Sequence, residues 1–271
     1  MSYPGKFRLP KDIPLDEYPR PETYLDEARR LTEEAQKLGL YLRVMGPIAI
    51  HFYFPEYVDL YRQLERLGER VFTDIDFASY GKGRSKLVPF FEKQGYELEK
   101  RAAMISGNTR HIYFGPLIPM IDVFFDELSY NHPIDYRGRL DIHPYCVSLT
   151  DLHLQKLQIV QLNDKDLKDA ILLLLAGDLG ERDDKMINTS YLSKIFSEDW
   201  GFYHTATTNL AHVKEMSASI SALSASQIVT IVAKIDQLNH IIEASPKSGK
   251  WIGRAKIGSK KIWYNEVSDW A

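Results

Sequence analysis

The spacing of apolar residues changes near residue 150. Before it, short β-prone runs alternate with helical stretches; after it, apolar residues recur almost wholly at helical spacing. Ala28, Leu31, Ala35 and Leu38 lie three or four apart between Pro21 and Gly39, which predicts a helix with Pro at its start and Gly just past its end. Residues 41–45 read as a strand stopping at Gly46. Pro47 then opens a helix reaching about Leu67, kinked or split at Pro55. An acidic strand is expected over 73–79 and a helix over 85–94. Strands are expected over 96–105, 110–114 and 120–125, parted by Gly107-Asn108 and Gly115-Pro116. Two more short strands are expected over 136–142 and 145–149. Thr150-Asp151 predicts a cap for a helix over 152–162, and Asn163 or Asp164 a cap for the next, ending at Gly177. Residues 171–175 are apolar on all sides, which places that helix in the core. Residues 181–245 read as mostly helical, with a turn in the Ser/Ala-rich stretch 217–226. Residues 251–257 and 261–267, split by Gly258-Ser259-Lys260, read as a closing β-hairpin.

This pattern organises the chain as an extended arm over 1–21, an α/β domain over 22–180 and a helical region over 181–271. The arm, with Pro4, Pro10, Pro14, Pro19 and Pro21 among charges, is unlike a signal peptide. At 271 residues, 44% hydrophobic and 26% charged, the chain has the composition of a soluble globular protein with a real core. No apolar run reaches transmembrane length, so no membrane partner is expected. A net charge of −3 gives no overall basic footprint for nucleic acid. The single Cys146 excludes an intramolecular disulfide and suits a reducing cytoplasm, the expected location.

The chemistry concentrates in two runs. Thr73-Asp74-Ile75-Asp76-Phe77 and Ile121-Asp122-Val123-Phe124-Phe125 are β-prone segments carrying carboxylates where apolar side chains are usual. Alternation along a strand puts Asp74 and Asp76 on one side, and Asp122 joins them if the two strands are neighbours. Three converging carboxylates repel unless cations hold them, and oxygen-seeking Mg2+ is the usual occupant. Two such ions are the arrangement for in-line phosphoryl or nucleotidyl transfer. An exposed Asp-x-Asp without metal is the plain alternative. The strand, Gly46 and the Pro47 helix start add an anion site.

With these residues in place, the chain resembles the nucleotidyltransferase superfamily of polymerase-β-like fold, through Gly46, Asp74, Asp76 and Asp122. The nearest flavour is the bacterial AbiEii-like branch, which includes toxins of toxin–antitoxin pairs. Lys156 matches that branch's helical lysine, and Lys165-Asp166-Leu167-Lys168-Asp169 its basic-Asp-x-x-Asp stretch; the resemblance spans roughly residues 40–175. Pro47 departs from the pattern by removing a second small residue, and the segment from Gly46 to Asp74 is longer than usual.

The resemblance implies an α/β fold with a small mixed sheet flanked by helices. It implies transfer of a nucleoside monophosphate from an NTP to a hydroxyl or phosphate acceptor, with two Mg2+ ions for which Mn2+ can substitute. Asp74, Asp76 and Asp122 would be the metal ligands and, with Lys156, the catalytic residues; Gly46, Lys156, Asp166 and Asp169 would bind nucleotide. The acceptor stays open between tRNA or other RNA, protein and a small molecule. A toxin that modifies tRNA ends beside an antitoxin partner, and a non-catalytic nucleotide- or partner-binding pseudoenzyme suggested by Pro47, are the alternatives. For Lys156 the plain reading is a solvated lysine leaning from a buried helix; for Asp166 and Asp169 it is helix-dipole placement or a surface pair with Lys165.

The remaining candidates are weaker. None of the eight histidines forms a His-x-x-x-His pair, although His51 follows Gly46 closely enough to face the site. Gly81-Lys82-Gly83-Arg84 reads as a turn whose cations can reach phosphates, and Asp126 as a solvated strand end. Lys250, Arg254, Lys256, Lys260 and Lys261 around Trp251 and Trp263 either guard a sheet edge or touch nucleic acid.

Overall fold

The structure, a computed structural model, describes residues 8–267; residues 1–7 of the expected arm lie outside the described residues. In chain order the helices are α1 (Pro21–Lys37), α2 (Gly46–Tyr53), α3 (Val58–Gln63), α4 (Arg84–Lys93), α5 (Lys100–Ser106), α6 (Leu149–Leu157), α7 (Asp164–Ala176), α8 (Thr189–Glu198), α9 (Trp200–Ser219), α10 (Ala225–Ala244) and α11 (Gly249–Ile257). They group into two compact units. One holds residues up to Pro55, Leu67–Leu128 and Asp135–Val147; the other holds Glu56–Arg66, Ser129–Ile134 and the chain from Ser148 onward.

The first unit is built on a five-stranded mixed sheet. Its strands are β1 (Arg43–Val44), β2 (Ile75–Ser79), β3 (Glu97–Leu98), β4 (Arg110–Phe114) and β5 (Met120–Phe125), in the spatial order β1-β2-β5-β4-β3. The β2–β5 pair is parallel and the other pairs are antiparallel. This is the small mixed sheet flanked by helices that the resemblance implies. Ile75, Phe77, Ile121 and Val123 are fully buried, so the apolar alternation of both central strands points one way. The carboxylates point the other.

Helix α1 packs through Tyr24, Ala28, Leu31 and Ala35. Its buried Glu27 is satisfied by Arg30 at 2.7 Å and by the Tyr96 hydroxyl at 2.7 Å. The helix after Gly46 ends at Tyr53, and Pro55 starts a separate turn before α3, the split expected of an interior proline.

Two expected strand regions fold otherwise. Within 96–105 only Glu97–Leu98 are extended, because the Glu99 side chain accepts a hydrogen bond from Ala102 N and starts α5 on Ala102-Ala103. Residues 136–149 carry no strand among the described residues. Cys146 instead makes one isolated bridge to Val44, through Val44 N to Tyr145 O at 2.8 Å and Val147 N to Val44 O at 3.1 Å. Burial pushes the Cys146 thiol well above its ordinary value, so it stays protonated.

The second unit is mainly helical. Helix α6 is capped by Ser148, which accepts from Asp151 N, and every residue from Leu149 to Leu157 is buried. Asn163 caps α7, whose Ala170–Leu175 stretch is buried on all sides, as its apolar circumference predicts. A short parallel pair, β6 (Asp178–Gly180) and β7 (Met186–Asn188), precedes α8. Helix α10 opens with a Ser224–Gln227 capping box and buries Ile231, Ile235, Leu238 and Ile242.

The expected closing β-hairpin is α11 instead. Ser248 accepts from Trp251 N, and Gly258 at φ +60° ends the helix. The β-prone Trp and Ile residues give way to this capping pair. Arg254 then folds back onto the carbonyls of Gly258 (2.6 Å) and Lys261 (2.8 Å) and lies over Trp200, so it serves the local fold. Ser248→Ala should destabilise α11 by about 0.5–2 kcal/mol. Hydrogen exchange should show faster amide exchange confined to residues 249–257; unchanged rates there would count against the cap.

Candidate metal centre

Strand pairing alone brings the first two acidic runs together. In the parallel β2–β5 ladder, Ile75 is opposite Ile121, Asp76 opposite Asp122 and Phe77 opposite Val123. Asp74 sits just ahead of β2, and its carboxylate accepts from Thr73 Oγ1 at 3.0 Å. The Thr73 carbonyl is itself held by Tyr18 OH and Tyr24 OH at 3.2 and 3.4 Å. The result is a group in which one carboxylate oxygen each from Asp74, Asp76 and Asp122 lies within 4.8 Å of the others. Asp122 is buried and the other two are half-buried.

Gly46 belongs to the same corner. Met45 N donates to Asp76 O at 2.8 Å, which closes β1 onto β2 and delivers Gly46 beside the Asp76 carboxylate. Gly46 has φ +59°, and a Cβ there would lie 3.5 Å from Asp76 Oδ2. A side chain at that position would be strained by its backbone and would come into contact with the carboxylate.

The donor set fits a hard divalent cation. Oxygens bound to one Mg2+ at about 2.0–2.1 Å can be at most about 4.2 Å apart. A spread of up to 4.8 Å therefore suits a slight closure around one ion, or a bridged pair of ions. Asp74, Asp76 and Asp122 would hold it. His51 is not part of the group: its ring Nδ1 meets Pro47 O at 3.0 Å and its ring stands edge-on to Phe72.

One residue of this centre escaped the sequence reading. Arg110 on β4 grips Asp122 as a fork, Nε to Oδ1 at 3.0 Å and Nη2 to Oδ2 at 2.7 Å. Its guanidinium also lies over the Phe124 ring at 5.2 Å. Burial raises the Asp122 carboxyl above its ordinary value; the Arg110 hydrogen bonds and charge oppose that, and Asp74 adds to it. The fork depends on β4 pairing Ile112 with Asp122 and Arg110 with Phe124. Sequence periodicity does not fix that register.

Asp126 is not a solvated strand end. It adopts φ +62° and its Oδ1 accepts from Gly81 N at 3.0 Å, anchoring the turn after β2. In that turn Lys82 lies over the Tyr80 ring, and Arg84 donates to Asn108 O at 3.0 Å.

Lys156, Asp166 and Asp169 also come together, within the second unit. The Lys156 ammonium is 2.8 Å from Asp166 Oδ1 and 2.7 Å from Asp169 Oδ2. Arg66 Nε and Tyr61 OH reach Asp169 Oδ1 at 2.7 and 2.8 Å. Asp169 is wholly buried, and Lys156 is 6% exposed. So Lys156 is no solvated surface lysine, and Asp169 is paired with Lys156 and Arg66. Burial alone would lower the Lys156 pKa and raise that of Asp169. The charges around them more than reverse both shifts, so Lys156 ends raised and Asp169 lowered.

No family model and no curated protein matches the chain. Among solved structures the chain is similar to the antibiotic-resistance factor ANT(2'')-Ia, determined in solution, with TM-score 0.38 and 14% identity over 64% of this chain and 92% of that one. A likeness at that level leaves the functional argument to the site's own geometry.

Removing Lys156 should take one counter-charge from two buried carboxylates and leave Asp169 with Arg66 and Tyr61. Lys156→Ala should cost about 3–5 kcal/mol, the usual penalty for breaking a buried ion pair from one side. Denaturant unfolding followed in the second unit would measure it. The lowered Asp169 pKa sets the pH sign: its contribution is complete above the ordinary aspartate value of 3.8 and is lost as pH falls through the lowered folded value. Asp169→Asn should therefore flatten the acid limb of the stability curve.

Proposed function

We propose that this protein is a divalent-metal-dependent nucleotidyltransferase that moves a nucleoside monophosphate from an NTP to an acceptor and releases pyrophosphate. The convergence of Asp74, Asp76 and Asp122 on adjacent parallel strands carries this reading. Gly46, left-handed beside Asp76 at the start of α2, supports it by keeping side-chain bulk away from the carboxylates at a helix start.

In this reading the acceptor oxygen forms a bond to the α-phosphorus while the bond to the α–β bridging oxygen breaks, and pyrophosphate takes up the leaving charge. Mg2+ held by Asp74, Asp76 and Asp122 would withdraw charge from the phosphates in flight. Asp122, oriented by Arg110, would accept a hydrogen bond from the acceptor hydroxyl.

The Arg110 fork favours a second reading, a nucleotide-binding protein without transferase activity, because the third carboxylate already has a counter-charge. Incubating the protein with each labelled NTP and Mg2+, against tRNA, protein and small hydroxyl acceptors, separates the two. Transfer that disappears in Asp76→Asn is the expected result. Asp76→Asn should leave the metal-free fold as stable as wild type or more so, because it relieves carboxylate repulsion. Binding of NTP without pyrophosphate release against any acceptor would establish the second reading.

A further inference from the structure

We infer that the exposed face of α11 and the chain that follows it, as far as Tyr264, form a docking surface for single-stranded nucleic acid. The inference stands apart from the metal centre. It concerns the second unit alone and holds whether or not the protein transfers nucleotides.

The positive charge is local. Between Ser245 and Asn265 the chain carries Lys247, Lys250, Arg254, Lys256, Lys260 and Lys261 and no acid, although acids outnumber bases by 37 to 34 over the whole chain. The sequence allows these cations to guard a sheet edge, but residues 245–267 hold no strand, so there is no edge to guard. Two of the six serve the fold. Lys247 donates to the carbonyls of Ile242 and Ser245, and Arg254 to those of Gly258 and Lys261. Carbonyl acceptors leave their charge uncancelled. Lys250, Lys256, Lys260 and Lys261 are exposed, and among the described residues nothing pairs with them. Unpaired charges of one sign, gathered in one segment, draw in a polyanion.

The neighbours of these lysines select the polyanion. A helix that lies on a membrane needs a continuous apolar face. The exposed residues of α11 are Gly249, Lys250, Ile252, Gly253, Lys256 and Ile257, so lysine and glycine interrupt that face. An acidic peptide would pair with the lysines but brings no flat bases. Two aromatic rings lie two and three residues past Lys261: Trp263 and Tyr264 are half-buried and meet edge-on at 5.2 Å. Trp263 is fixed in place by its indole N–H, which donates to Thr205 Oγ1 at 3.0 Å, and by the His204 ring at 5.0 Å. Anchored aromatics beside free cations are what a single strand uses, with bases stacking on the rings while its phosphates follow the lysines.

The test is fluorescence anisotropy of a labelled single-stranded oligonucleotide of about 16 nucleotides, the upper site size of such surfaces. The full-length protein is used, without NTP or metal, over a series of salt concentrations. Wild type should bind with a dissociation constant of about 10⁻⁶–10⁻⁴ M at physiological salt, and log K should fall against log salt with a slope of about −3 for four phosphate contacts. Replacing Lys250, Lys256, Lys260 and Lys261 together by Gln should flatten that slope. Each single Lys→Gln variant should lower it by about 0.7, which covers the case in which the fourfold variant does not fold. Tyr264→Ala should weaken binding about 5- to 150-fold, the value of one stacked base, and leave the slope unchanged. A control that replaces the exposed Lys11, Lys86, Lys93 and Lys100 by Gln removes the same charge elsewhere and should bind as wild type does. Absent binding, an unchanged slope in the fourfold variant, or an equal loss in the control would overturn the inference. Polyglutamate or phosphatidylserine vesicles binding as tightly as the oligonucleotide would overturn it in favour of an acidic protein or a membrane. Transfer activity plays no part in the readout, so failure of the transferase reading and failure of this one are separate results.

Discussion

The parallel pairing of β2 with β5 is the constraint on which the candidate site depends. It aligns Asp76 with Asp122 because the residues on either side, Ile75 with Ile121 and Phe77 with Val123, are buried on the opposite face. Burying such side chains contributes about 1.5–3 kcal/mol each. Two unit charges 4 Å apart repel by only about 1–4 kcal/mol between water-like and surface-like dielectrics. The apolar face therefore dictates register, and the carboxylates are carried together against their own repulsion. A slip of one residue would turn every acid into the core.

The two charged clusters solve the same electrostatic problem differently. Around Asp169 the protein supplies complete compensation from Lys156, Arg66 and Tyr61, within a buried site. Around Asp74, Asp76 and Asp122 it sets the Arg110 guanidinium on buried Asp122 and leaves the other two acids half-buried. A closed cluster of that first kind holds a fold in place. A partly exposed acidic cluster on two central strands is open to cations from solution.

Much of this was legible in the sequence where local rules and burial agree. Strands 110–114 and 120–125, helix α1, the break at Pro55, the Asn163 cap and the buried 171–175 tract all follow from period, proline and capping. The acidic triad was legible because Asp appears at positions where a strand wants apolar residues. Failures cluster where one side-chain hydrogen bond decides between states. Glu99 turned an expected strand into α5, and Ser248 turned an expected hairpin into α11. Arg110 was invisible for another reason: its partnership with Asp122 exists only once two strands, paired antiparallel, have chosen their register.

The seclusion of Lys156 has a practical consequence. Acylating reagents need a neutral, accessible amine, and this one is protonated, 6% exposed and held by two aspartates. Its modification has to wait for the helices around it to part. The rate at which Lys156 alone takes up such a reagent, set against the exposed Lys256 and Lys260, is thus an internal clock for opening of the helical unit.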